Sequence, residues 1–251
     1  MIMTDIKSFC AFKRPLGFLL MMISMAVNGQ ILNSFPRYQV PYLGGYEGYY
    51  SDFHRIINEQ NLKPCSDPDE FYQFSVLINP DGSINFIKDH NVKNVSQNQC
   101  AHDLAREVAR HQQNWNAATV DGFKQPAVAM FLIYPADLFG NYREGYTPDV
   151  KFPGYGKFKN NGIQEFRQAI ANRTDLRGFS WDDRFDVIVD FVITKNSQIR
   201  DVIFIKSSGS DEFDKRIANG IKSTAKRWTP ATINGKSVDF THRITLNAVT
   251  D

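Results

Sequence analysis

The sequence lacks the short patterns that build most enzyme sites. It has no Gly-x-Ser-x-Gly elbow, no P-loop, no Gly-rich dinucleotide loop and no paired zinc-ligand spacing. Only five histidines occur, and His102 and His111 do not share a helical face at i, i+4. Asp186 and Asp190 would share a strand face, where solvated acids are a simpler reading than a catalytic carboxylate pair. No enzymatic activity, metal or cofactor is therefore expected.

Long apolar runs are also scarce. The clearest, Leu16 to Val27, follows Lys7, Lys13 and Arg14 and is shorter than the roughly 20 residues that span a bilayer. With small residues at Val27 and Gly29, it reads as a secretory signal over residues 1–29, cleaved before Gln30. An uncleaved anchor is the alternative. Cleavage would remove three of 29 basic and one of 27 acidic residues, leaving 26 of each. A chain so balanced has no excess of positive charge for nucleic acid. Of three cysteines, Cys10 precedes the apolar run, so the exported chain would keep Cys65 and Cys100. Export permits a disulfide between them; two free buried thiols are the other reading.

Aromatic residues are plentiful, at 13% with 20 Phe. The most informative stretch runs from Arg227 to Val238. Trp228 brings a large apolar surface, Pro230 cannot continue a helix, and Asn234-Gly235 suits a tight turn. Phe240, His242, Ile244 and Leu246 then alternate with Thr241, Arg243 and Thr245, as on a strand with one buried face. A worn copy lies upstream: Trp115 through Gly122 aligns with Trp228 through Gly235 at an offset of 113 (228 − 115). Trp115 and Trp228 read as core anchors of two related units. On offsets of 114 and 113, Cys65 and Cys100 fall on Phe179 and Phe213.

The expected fold is α+β: two similar αββαβ modules, each a three-stranded antiparallel sheet with helices on one face. A lead (30–40) precedes module 1 (41–134), and a linker (135–150) separates it from module 2 (151–251). In module 1, Tyr50, Phe53, Ile56 and Ile57 mark a helix. Phe74, Val76 and Ile78 alternate into a strand, and Asn79-Pro80-Asp81-Gly82 turns a hairpin. Module 2 repeats the order. An antiparallel sheet then places its strands second, first, third, leaving two open edges.

Both modules resemble the C-terminal domain of TonB, the periplasmic energy transducer of Gram-negative envelopes. Phe152-Pro153-Gly154-Tyr155 and Pro41-Tyr42-Leu43-Gly44-Gly45 are similar to its Pro-Gly-Gly opening. Trp228-Thr229-Pro230 through Asn234-Gly235-Lys236-Ser237-Val238 is similar to its Trp-x-Pro…Asn-Gly-Lys-x-Val signature. Module 1 has Ala117 where the proline belongs. The resemblance implies a periplasmic, non-enzymatic protein-interaction module. It would bind an extended segment, such as the TonB box of an outer-membrane transporter, by strand addition. The chain shows no polar membrane helix and no proline-rich rod, so the resemblance does not extend to force transduction.

The expected contacts are the backbone of Phe240, Thr241, His242, Arg243 and Ile244, with Asn234 and Lys236 at the mouth. Pro230 and Gly235 are expected to be structural anchors beside Trp115 and Trp228. His242 is expected to point inward, as a hydrogen-bonded edge histidine. The competing expectation is an envelope scaffold or homodimer whose two modules pair with each other.

Overall fold

A computed structural model describes residues 30–157, 162–179 and 184–249; at 184, 185, 248 and 249 only the backbone is described. The expected signal, residues 1–29, lies outside them. The first half contains α1 (Gly45–Glu59), β1 (Tyr72–Ile78), β2 (Ile84–Phe86), α2 (Val92–Gln97), α3 (Gln99–His111), β3 (Ala118–Val120), β4 (Phe123–Gln125) and β5 (Ala127–Ile133). A short helix, α4 (Pro135–Phe139), follows. The second half contains β6 (Val150–Lys151), β7 (Gly154–Tyr155), α5 (Ile163–Ala171), β8 (Arg184–Ile193), β9 (Ile199–Lys206), α6 (Asp211–Lys222), β10 (Trp228–Thr229), β11 (Ala231–Ile233), β12 (Lys236–Val238) and β13 (Phe240–Val249).

The fold is thus α+β with several small antiparallel sheets. The first main sheet has the order β2-β1-β5 and the second β9-β8-β13. The hairpin strand lies on one side of the first strand and the returning strand on the other, because the intervening helix reverses the chain before it pairs. At the first hairpin, Gly82 takes φ +83°, and Asp81 Oδ1 accepts from the Ser83 amide at 2.9 Å. The second hairpin closes with Ser197 at φ +62° and the Ser197 amide donating to Thr194 O at 2.9 Å.

Each main sheet buries one face against helices. Tyr49, Tyr50, Phe53, Ile56 and Ile57 form the buried stripe of α1, and Ala101, Leu104, Ala105, Val108 and Ala109 that of α3. They meet Phe74, Val76, Ile78, Ala129, Phe131 and Ile133. In the second half, Phe166 and Ile170 of α5 and Phe213, Ile217 and Ile221 of α6 meet Val187, Val189, Phe191, Ile193 and Ile244. Trp115 and Trp228 are buried at matching places. Each pairs with a tyrosine across a β-bridge: Tyr42 with Trp115, rings 5.1 Å apart, and Tyr155 with Trp228, rings 5.2 Å apart. Trp115 Nε1 donates to Gln112 O and Trp228 Nε1 to Thr224 Oγ1, so neither indole N–H is left unpaired.

Cys65 and Cys100 form a disulfide, Cα–Cα 5.7 Å, tying the loop before β1 to the first turn of α3. In the second half, Phe179 stacks on Phe213 of α6 with centroids 4.6 Å apart. Arg216 lies over Phe179 at 4.6 Å.

A third apolar cluster joins the halves. Phe71, Leu132 and Tyr134 pack against Ala231, Ile233, Val238 and Phe240. This uses the face of the first sheet that the helices leave open. It also uses the β11–β12 hairpin, whose tip is Asn234-Gly235 with Gly235 at φ +81°. Pro230, half-buried, separates β10 from β11, and β11 then pairs with β6. Residues 135–150 are not a free connection: Leu138 of α4 is fully buried in the first core, with Tyr146 packed beside it.

Candidate functional site

β13 pairs with β8 in an unbroken register of ten residues, from Phe240↔Ile193 to Val249↔Arg184. Backbone direction alternates along such a strand, so Thr241, Arg243, Thr245 and Asn247 turn their N–H and C=O groups to the outer edge. The opposite edge strand, β9, is irregular. Its register with β8 shifts twice, and Asp201 sits at φ +51°. Bulges of this kind discourage a further strand. β13 is the regular edge of the second sheet.

The two halves treat their last strand differently. On β5 the outer edge is covered at both ends. The Val128 amide donates to Leu32 O at 2.9 Å, in a parallel bridge with the lead segment. The Tyr50 hydroxyl donates to Leu132 O at 3.0 Å and accepts from the Leu132 amide at 3.2 Å. On β13, among the described residues, only the first rung is covered. Gln73, on β1, places its amide against Thr241: Oε1 accepts from the Thr241 N–H at 2.6 Å and Nε2 donates to its carbonyl at 3.0 Å. A side-chain amide thus stands in for a strand. Beyond it, the outward backbone groups of Arg243, Thr245 and Asn247 meet no partner among the described residues.

The other expected contact residues fall into place around this edge. Phe240 is buried, 6.2 Å from Phe71 and 5.7 Å from Phe152 between ring centroids. Ile244 is buried in the second core. Arg243 is exposed on the open face and grips Asp190, its cross-strand partner, with Nε and an Nη both at 2.7 Å. Asp186 lies 3.8 Å from Lys206. Asn234 and Lys236 are engaged within the chain. Asn234 exchanges backbone and side-chain bonds with Asp149 at 2.8 Å and donates to Asp137. Lys236 bonds Asp69 and, at 3.2 Å, the Tyr134 hydroxyl. The bond to Asp69 raises the Lys236 pKa to about 12. These contacts hold the hairpin to the first half, while Asn234 and Lys236 themselves stay exposed.

His242 points inward, as expected, but is not hydrogen-bonded through Nε2. That nitrogen is buried without a partner, and the ring sits 5.4 Å from both Phe191 and Trp228. No polar group reaches it because the surrounding positions are filled by apolar ring faces. Desolvation lowers its pKa to about 4, opposed by Asp190 and assisted by Arg167.

Gln73 and Tyr50 are the residues that sequence reasoning missed. Gln73 was visible only as a polar residue on the outer face of β1, and Tyr50 only as one of an apolar stripe. Replacing Gln73 with Ala removes two bonds to one backbone unit. It should loosen the contact between the halves by roughly 1–3 kcal/mol. Hydrogen exchange at the Thr241 amide should then accelerate, while amides of β8 keep their protection.

Comparison with known families bears on the same strand. Residues 186–247 match the Gram-negative bacterial TonB protein C-terminal. The span runs from β8 into β13 and gives one TonB C-terminal domain, with the uncovered edge inside it. A TonB C-terminal domain implies a TonB-type protein-interaction module, from a family of non-enzymatic transducers of the periplasm and envelope. No curated protein and no solved structure matches the chain. Among the described residues, no helix is long and apolar enough to cross a membrane.

Proposed function

We propose that the chain is a periplasmic interaction protein whose second half binds an extended peptide as an added strand on β13. The observation that carries this reading is the regular, uncovered edge from Arg243 to Asn247 within the TonB C-terminal domain. An open edge supplies affinity through backbone bonds and selectivity through alternate side chains. The first half supports the chemistry by its own example, since the lead segment already adds to the edge of β5 at Leu32. A TonB-dependent transporter of the outer membrane is the partner class this domain suggests.

The two halves are, in this reading, tandem copies of one module. The shared strand order supports it, as do the two Tyr–Trp bridges and the disulfide standing opposite a stacked Phe pair. Module 1 has closed its own edge and serves as a platform for module 2. The competing scaffold reading draws support from the same contact, because Gln73 and the shared apolar cluster pair the modules within one chain.

The test uses Thr245→Pro. Proline at 245 removes one outward N–H without disturbing the pairing to β8. Wild-type protein should retain transporters from solubilised outer membrane, and Thr245→Pro should lose at least roughly tenfold in affinity, about 1.4 kcal/mol. Equal retention by both proteins would exclude the edge as the site. Retention of nothing by the wild type would favour the scaffold.

A further inference from the structure

On the helical side of the second sheet, a groove of about 570 Å³ opens between α5 and the end of β13. Arg167, Ile170, Ala171, Leu176, Ile217 and Leu246 line it. Leu176 is 49% exposed at its mouth. Arg167, on the exposed face of α5, makes no ion pair with any described residue.

The corresponding place in the first half is full. After β5 the chain turns into α4 and folds back over α1. Leu138 is wholly buried there. Its carbonyl is bound by His54 Nδ1 at 2.8 Å, and Tyr142 stacks on the same imidazole at 3.9 Å. On the offset of 113 (228 − 115), His54 falls on Arg167, Ile57 on Ile170 and Asn58 on Ala171. The helix position that holds the α4 carbonyl thus becomes a guanidinium in the second half, and a polar neighbour becomes a small apolar one.

We infer that the groove beside α5 receives a short helical turn from a partner protein, with a leucine-sized side chain between Ile170 and Leu246 and an acidic side chain or carbonyl held by Arg167. This rests on the reading of the halves as copies and extends the site proposed above, since Thr245, Leu246 and Asn247 border both the open edge and the groove. The occupant's chemistry follows from the groove: aliphatic walls take an aliphatic side chain, and a cation at the rim takes an acceptor. The chain's own α4 is not available as occupant, because Leu138 would have to leave the first core.

The probe is a blocked peptide with the sequence of residues 134–146, the built-in occupant of module 1. It is titrated into the isotope-labelled full-length protein and followed by amide chemical shifts. Shifts are expected at Arg167 to Leu176 and at Leu246 and Asn247. Replacing the leucine equivalent to Leu138 with Asp in the peptide should abolish them. Ala171→Trp, which fills the groove from an exposed helix position, and Arg167→Glu should each weaken binding at least roughly tenfold. Shifts confined to Thr241 and Arg243 would overturn the groove while leaving strand addition standing, and no shifts at all would overturn it too. Concentration-dependent dimerisation of the wild type that Ala171→Trp removes would identify the occupant as a second copy and overturn the assignment to a partner protein.

Discussion

Reducing the Cys65–Cys100 disulfide is expected to cost the first half about 4 kcal/mol, the chain-entropy value for a closed loop of this length. The crosslinked residues are 35 apart, and the loop includes β1, β2 and α2. Opening it lets the denatured chain explore conformations that the link forbids, so the loss falls mainly on the unfolded side of the balance. For a unit of this size, the melting temperature should fall on the order of 20 °C. The second half should respond little, because Phe179 on Phe213 holds the corresponding contact without a covalent bond. Thermal unfolding with and without a thiol reductant should therefore separate into two transitions, the earlier one arising from the first half. A Cys65→Ala, Cys100→Ala double variant should reproduce the reduced profile without reductant. A single transition that ignores the reductant would refute the assignment of this clamp to the first half's stability.

Acidification should weaken the second half before most carboxylates titrate. In the folded chain the His242 pKa is lowered to about 4, with desolvation as the first cause. In the unfolded chain it returns to about 6.5. Between these values the unfolded state binds a proton that the folded state refuses. Stability is thus complete above about pH 6.5, falls as pH drops and has lost its full share below about pH 4. The total is about 3 kcal/mol, of which about 2 kcal/mol is lost between pH 7 and pH 5. His242→Leu fills similar space among Phe166, Phe191 and Trp228 and removes a buried nitrogen that has no partner. Denaturant unfolding of this variant should be flat over that window and at pH 7 equal to or above wild type. A wild-type profile that does not change between pH 7 and pH 5 would show that the imidazole is solvated.

The open and covered parts of the candidate site differ in how they could be read. Phe240, Ile244 and Leu246 alternate with polar residues, and period two is enough to define a strand and its buried face. Asn234-Gly235 marks the tip of the β11–β12 hairpin because few other pairs accept positive φ at both positions, here +49° and +81°. What the hairpin touches was not legible. Asn234 and Lys236 look like surface residues in sequence. Their partners Asp137, Asp149, Asp69 and Tyr134 lie roughly 85 to 167 residues away, and no local periodicity encodes such distances.

The same division holds for the molecule. The amino-acid sequence by itself determined the longer helices and strands, the two strand–turn–strand hairpins and the α+β class, because helical and strand periodicities are local and the turn residues are stereochemically restricted. It also determined that β13 would have one polar face. Tertiary structure alone decided which edges stay available. Leu32 and Tyr50 close the edge of β5, while Gln73 closes one rung of β13 and leaves the rest. Edge availability is a property of backbone hydrogen bonds to distant groups. A side chain that satisfies them has the same appearance in sequence as one that faces water.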